Sequence, residues 1–195
     1  MSVEFPVVGL VGKVACGKST VARFLADEYG FIPLEADRFG HSALEVEKET
    51  LLKSFGKDIL LDDGKIDRRI LGSIVFANAS KLSLLNSIVH PHIKKSIAGI
   101  IAANPDKRYV IDAALLFEIG LDELCDYIIS VEAPEELIRE RIKKYRSWDD
   151  CKASGVLEAQ RYLDFFSDKC HFIIFNNGDL NKLKKQLEFF IIEIF

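Results

Sequence analysis

A chain of 195 residues, 49% of them hydrophobic, has the material for one compact core with small insertions. Its net charge of −4, with Lys and Arg spread out in small clusters such as Arg68-Arg69 and Lys184-Lys185, excludes long-range attraction to nucleic acid. Apolar runs such as residues 189–192 are far too short to cross a membrane, and residues 1–6 lack the basic and apolar stretches of a signal peptide, so a soluble cytoplasmic protein is expected. In chain order, residues 7–11 form a short apolar run suited to a buried parallel strand. Next comes Gly12-Lys13-Val14-Ala15-Cys16-Gly17-Lys18-Ser19, which obeys G-x-x-x-x-G-K-[ST]. Thr20 follows, then Val21, Phe24 and Leu25 at the i, i+3, i+4 spacing of an amphipathic helix. Strand, glycine turn and helix are the context in which this motif binds phosphate. The glycines let successive N–H groups point at phosphate oxygens, and the new helix adds its positive end. Lys18 would reach the β- and γ-phosphates and the Ser19 hydroxyl would ligate Mg²⁺. A nucleoside triphosphate is therefore expected on Gly12, Ala15, Cys16, Gly17, Lys18, Ser19 and Thr20. A thiol so placed, beside Lys18 and a helix N-terminus, should have thiolate character at Cys16.

Further short apolar strands are expected at residues 32–34, 109–112, 127–131 and 172–175, with helical patterns between them. That alternation predicts an α/β fold in three layers, α/β/α, around a five-stranded parallel sheet. Two connections are longer than a simple crossover requires. Residues 38–105 hold several helical segments, broken at Asp62-Asp63-Gly64 and at His90-Pro91, and read as a helical acceptor-binding insertion. Residues 134–170 are highly charged, include Trp148-Asp149-Asp150, and read either as a lid or as ordinary helical packing. The core of a single domain is then about residues 1–37, 106–133 and 171–195. Residues 180–195 form a closing amphipathic helix, with Leu183, Leu187, Phe190 and Ile191 on the buried face. The four cysteines are widely separated with no C-x-x-C pair, which argues against a zinc site or disulfide framework.

A triphosphate site fits both a small-molecule kinase and an ATPase that drives a protein partner. A kinase needs a carboxylate to orient the acceptor hydroxyl, and an ATPase needs an element that positions water. Glu35-Ala36-Asp37-Arg38 follows the second strand at once, where an acceptor would approach, although Asp37 also suits a helix cap. Asp112 ends the third strand, where it would hold Mg²⁺ or cap the next helix. The long insertion after the second strand favours the kinase.

The chain resembles the dephospho-coenzyme A kinases from Gly9 to about Asp179. Matching positions in order are the phosphate loop, Asp37, Phe55-Gly56, Asp67-Arg68-Arg69-Ile70-Leu71, Val75-Phe76, Leu84-Leu85, His90-Pro91, Asp112 with Leu115-Leu116-Phe117-Glu118, and Asn176-Asn177-Gly178. The loop is generic to a superfamily, whereas the ordered set FG, DR-x-x-L, HP and LLFE is much more specific. The resemblance implies a P-loop kinase-type fold that transfers the γ-phosphoryl of ATP, with Mg²⁺, to the ribose 3′-hydroxyl of dephospho-CoA. It implies that Asp37 holds that hydroxyl and that Arg68 meets the acceptor's phosphates. His90, Leu115, Phe117 and Glu118 would line the acceptor side, and Asn176, Asn177 and Gly178 would lie near the adenine. No oligomeric state follows from the sequence.

The chain departs from the family pattern at Lys13, Cys16 and Ala114, and in the lid. Arg141-Ile142-Lys143-Lys144-Tyr145-Arg146 is one residue longer than R-x-x-x-R, and Val156 stands where an arginine precedes Gln160. The lid's positive charge must come from elsewhere in residues 139–169, where Arg139, Arg161 and Lys169 are available and Arg141 and Arg146 are the strongest candidates. On one helix those two would point about 140° apart. Arg141 is favoured because residues 147–150 look like a helix break. Two alternatives stay open: a P-loop kinase relative with another small-molecule acceptor, and a P-loop ATPase acting on a protein.

Overall fold

Apolar runs of four to six residues, too short for helices and bounded by turns, pair into a parallel sheet. The computed structural model describes residues 4–146 and 148–195, the side chains of Asp164, Phe165 and Ser167 excepted. The strands are β1 (Val7–Val11), β2 (Ile32–Glu35), β3 (Tyr109–Asp112), β4 (Tyr127–Glu132) and β5 (Phe172–Phe175), in the order β2-β3-β1-β4-β5. These lie where the sequence puts them, with β2 and β4 each extended by one residue. All five residues of β1 are buried, as in a strand covered on both faces. Its Leu10 stands opposite Asp112 on one side and Ile129 on the other. The chain leaves β1 toward β2 on one side and leaves β3 toward β4 on the other. This reversal opens a crevice at the carboxyl ends of β1 and β3, where open α/β sheets bind ligands.

Residues up to 34 together with 104–195 form one compact unit, and residues 35–103 a second. In the first unit, α1 (Lys18–Tyr29) starts at the phosphate loop and stops at Gly30, whose φ of 69° is the left-handed cap glycine accepts freely. Val21 and Leu25 of its inner face are fully buried in a core shared with Val8, Leu10, Ile129 and Val131.

The second unit holds α2 (Ala36–Val46), α3 (Lys48–Phe55), α4 (Arg68–Phe76) and α5 (Ala79–Ala103). Leu51, Ile59, Ile66, Leu71 and Val75 give this unit a small core of its own. The expected break at residues 62–64 is there as a turn, with Leu60 bridging Ile66. The expected break at His90-Pro91 is not, because α5 runs through Pro91 as a helix of 25 residues. A proline inside a helix costs about 3 kcal/mol. Burial of Val89, Ile93 and Ile97 on the face packed against α2 and α4 contributes about 1.5–3 kcal/mol each, so packing wins. The Pro91 ring faces outward.

The first unit continues with α6 (Leu116–Ile119), α7 (Glu135–Arg146), α8 (Asp150–Ala159), a 3₁₀ segment Arg161–Lys169 and α9 (Leu180–Ile194). Of the break read at residues 147–150, Ser147 lies outside the described residues, as do residues 1–3 of the start; α7 ends at Arg146 and α8 begins at Asp150. Leu183, Leu187, Phe190 and Ile191 are on the buried face of α9, as their spacing requires, and Ile194 joins them. On its outer side the Gln186 carboxamide accepts from the Phe175 N–H at 2.9 Å and donates to the Phe175 carbonyl at 3.0 Å, at the free edge of β5. Among the described residues no helix is long and apolar enough to cross a membrane.

Candidate active site

The phosphate loop is shaped by what its glycines leave out. At Gly12, with φ 148°, a Cβ would lie 2.3 Å from the Val131 carbonyl oxygen, and at Gly17, with φ 112°, 1.9 Å from the Asn176 amide nitrogen. No other residue fits either place. Between them the Cys16 N–H bonds the Lys13 carbonyl at 3.3 Å, and Ala15 has φ 57°. That left-handed conformation costs a residue with a Cβ about 1–2 kcal/mol, so the loop depends on its neighbours.

Those neighbours are specific. Arg141, half-buried on α7, donates from Nη1 to the Ala15 and Cys16 carbonyls at 3.2 and 3.0 Å. Its Nη2 reaches the Asn176 carbonyl at 3.3 Å and the Asn176 Oδ1 at 3.0 Å. Asn176 is itself buried, and its Nδ2 donates to the Cys16 carbonyl at 2.9 Å. The Lys18 ammonium is drawn into the loop by the Gly12 and Lys13 carbonyls at 2.9 and 3.2 Å. Across the crevice, Ser19 Oγ donates to Asp112 Oδ2 at 2.7 Å. Asp112 is not a helix cap, since α6 begins from Leu115. A hydroxyl beside a carboxylate supplies the oxygen donors that hard cations take, and Mg²⁺ adds phosphate oxygens and water to such a partial set. Among the described residues no cluster of three or more His, Cys, Asp or Glu would hold a metal by itself.

Cys16 corrects the sequence reading. The side chain is buried, and desolvation pushes its thiol up despite the opposing pull of Lys18 and Arg141. Its side chain packs in the core, and its carbonyl accepts from Arg141 and Asn176. Asn176, read as a neighbour of adenine, is placed against the loop, while Asn177 and Gly178 stay on the exposed turn after β5.

The other lid cations have partners elsewhere. Arg139 bonds Glu135 at 2.7 Å and Ser154 at 2.9 Å, and Arg161 pairs with Glu158 at 2.8 Å. Lys169 lies over the Phe117 and Phe166 rings, and Arg146 lies over Trp148. Of these, Arg141 is the one on the loop. Of the acceptor-side residues, Leu115 is exposed, Phe117 stacks on Phe166 at 4.5 Å, and Glu118 takes a hydrogen bond from Tyr162.

In the second unit Asp37 is exposed in the first turn of α2 and does not cap it. Arg68 opens α4 and its Nη1 meets His41 Nε2 at 2.6 Å. His90 lies on α5 beside Pro91. Sequence reading missed His41, the partner of Arg68, and named Gln160 only as the glutamine of the lid pattern, without its contact to the loop. Gln160 receives the Val14 N–H at 2.8 Å.

A central phosphate loop at a topological switch, a lysine inside it and a hydroxyl–carboxylate pair across the crevice define a nucleotide-binding protein of the P-loop kinase class. A family model described as dephospho-CoA kinase matches residues 6–182. The dephospho-CoA kinase of Borreliella burgdorferi is 34% identical over 186 residues, 93% of this chain and 91% of that protein. That of Bacillus licheniformis is 37% identical over 187 residues, 93% of this chain and 92% of that protein. A solved structure, dephospho-CoA kinase from Campylobacter jejuni, is similar with a TM-score of 0.64 and 27% identity, covering 98% of each chain. The chain belongs to the dephospho-CoA kinase family.

Proposed function

We propose that this chain transfers the γ-phosphoryl of ATP to the ribose 3′-hydroxyl of dephospho-CoA, giving CoA and ADP, the last step of CoA synthesis. Family membership over most of the chain supports the reaction. The observation that carries the residue assignment is the phosphate loop with Lys18 inside it and Ser19 bonded to Asp112. The loop N–H groups and Lys18 bind and orient the triphosphate. Mg²⁺ held by Ser19 and Asp112 would supply charge neutralisation on the phosphates. Asp37 would accept a hydrogen bond from the acceptor hydroxyl and take its proton as the new O–P bond forms and the bond to ADP breaks. Phosphoryl transfer is mostly positioning and electrostatics, so a modest base suffices. Arg68, His90, Leu115, Phe117 and Glu118 are assigned to the acceptor, Asn177 and Gly178 to the nucleotide, and Arg141 to the loop and the phosphates it holds. Residues 38–105 serve as the acceptor-binding insertion and 134–170 as the lid of a single domain working in the cytoplasm.

The decisive assay measures ADP release from Mg-ATP across dephospho-CoA, adenosine, nucleoside monophosphates, shikimate and pantothenate. Release with dephospho-CoA alone, and a 3′-phosphorylated product by mass, is expected. Hydrolysis without an acceptor, stimulated by a protein, would move the chain to the ATPase class. In the same assay Asp37→Asn should lower kcat by about 10²–10⁴-fold, the range for acid–base groups, with ATP affinity unchanged. Lost ATP binding with normal turnover at saturating ATP would instead place Asp37 at the metal.

A further inference from the structure

The phosphate loop contains a conformation that needs outside support. Ala15, at φ 57°, holds a left-handed backbone that a residue with a Cβ keeps only where its surroundings over-determine it. Arg141 and Asn176 hold the carbonyl side of this turn. On the amide side stands a group from far along the chain, Gln160, whose Oε1 accepts the Val14 N–H at 2.8 Å. Gln160 ends α8, and its own N–H is fixed by the Val156 and Leu157 carbonyls at 3.1 and 3.2 Å, so the side chain starts from a set backbone. The 3₁₀ segment behind it is docked at two places. Leu163, buried, bonds the Gln160 carbonyl through its N–H and shares a cleft wall with Gly12 and Lys13. Further on, Tyr162 hydrogen-bonds Glu118, and Phe166 stacks on Phe117 with ring centroids 4.5 Å apart. One short stretch thus touches both the phosphate loop and the residues that follow β3.

We propose that Gln160 is a positioning residue of the phosphate loop, and that residues 161–166 are a strap tying its placement to Phe117 and Glu118. The inference rests on the reading of the loop as a nucleotide site. The carboxamide fixes the Val14 amide before the ligand arrives, so the loop's remaining N–H groups need no ordering on binding, which favours affinity. Without the acceptor oxygen, Val14 N–H loses its partner and Ala15 is free to relax. The loss falls on nucleotide binding, not on the chemical step.

The test is Mg-ATP affinity by titration calorimetry for Gln160→Met, Tyr162→Phe and the double variant, with thermal melts and with kcat and KM at saturating acceptor. Methionine keeps the length of glutamine but offers no such acceptor. Gln160→Met should weaken Mg-ATP by about fivefold to thirtyfold, the usual consequence of leaving a backbone donor unpaired, and raise KM far more than it lowers kcat. Tyr162→Phe, remote from the loop, should weaken it in the same direction by a smaller factor. The double variant should be no weaker than Gln160→Met alone, because the strap acts through Gln160. Unchanged or tighter binding in Gln160→Met overturns the positioning role. Wild-type affinity in Tyr162→Phe, or effects that multiply in the double variant, removes the strap. If Gln160→Met melts early, Tyr162→Phe carries the decision alone. Since calorimetry needs no acceptor, a wild-type protein that binds Mg-ATP but leaves dephospho-CoA unmodified would sink the proposed reaction and spare this inference.

Discussion

Cys16 shows how one residue's environment can reverse the expectation drawn from its neighbours in sequence. A thiol beside a lysine at a helix N-terminus is activated only if water can reach it to stabilise the thiolate. Here the Sγ faces inward, and burial outweighs the two cations, Lys18 and Arg141, that act on it. Cys125 and Cys170 are pushed up too, to about 12 and about 11, by burial first and nearby acids second. Cys151 alone among the four is exposed. Brief iodoacetamide treatment of the native protein should therefore label Cys151, with Cys16 reacting only after unfolding, as read by peptide mass spectrometry. Label on Cys16 before Cys151 would show that the loop opens readily in solution. The loop was legible from sequence because its constraints are local: two glycines at fixed spacing, a strand before and a helix after. Asn176 as the reason Gly17 tolerates no side chain was not legible, since the two meet only through folding.

At the scale of elements, the same division holds between local and non-local causes. The strands, α1 and α9 follow from periodicity, and the turn at residues 62–64 from its Asp-Asp-Gly composition. The continuation of α5 through Pro91 could not be read locally, because it depends on apolar burial against α2 and α4. The docking of the 161–169 segment on Phe117 was hidden for the same reason. Asp67 is an element-scale feature whose chemistry can be tested. Its buried carboxylate caps α4, accepting from the Arg69 and Ile70 N–H groups at 2.8 and 3.3 Å. The Arg69 backbone donor, with smaller help from Ile70 and the Arg69 side chain, holds its carboxyl below the ordinary value. A carboxyl lowered in the folded state stabilises it fully above the unfolded value, about 3.9, and stops doing so as pH falls through the folded value. Asp67→Ala should melt below wild type at pH 7, and the gap should close below about pH 4. Asp67→Asn, which caps without the charge, should fall between the two at pH 7 and converge on wild type in acid. A gap that persists unchanged in acid would mean that the carboxylate's charge contributes nothing.

For the whole molecule, the order β2-β3-β1-β4-β5 leaves β2 and β5 at the margins of the sheet. β2 carries Pro33, which has no N–H to offer a neighbouring strand. β5 is Phe172-Ile173-Ile174-Phe175, without a charge or a proline, and Ile173 and Phe175 are exposed. Such a strand is a template for adding another chain's strand, and the route leads to aggregates. The Gln186 carboxamide, bonded to both the N–H and the carbonyl of Phe175, imitates the partner strand that is missing there and blocks its last rung. Gln186→Leu keeps the bulk on α9 and frees that rung. Its solutions should scatter light more steeply with concentration than wild type, while phosphoryl transfer per folded molecule is unchanged. Equal scattering would show that the brevity of β5 is protection enough. A steeper rise would mean that a side chain with no part in catalysis sets the concentration at which this enzyme can be kept in solution.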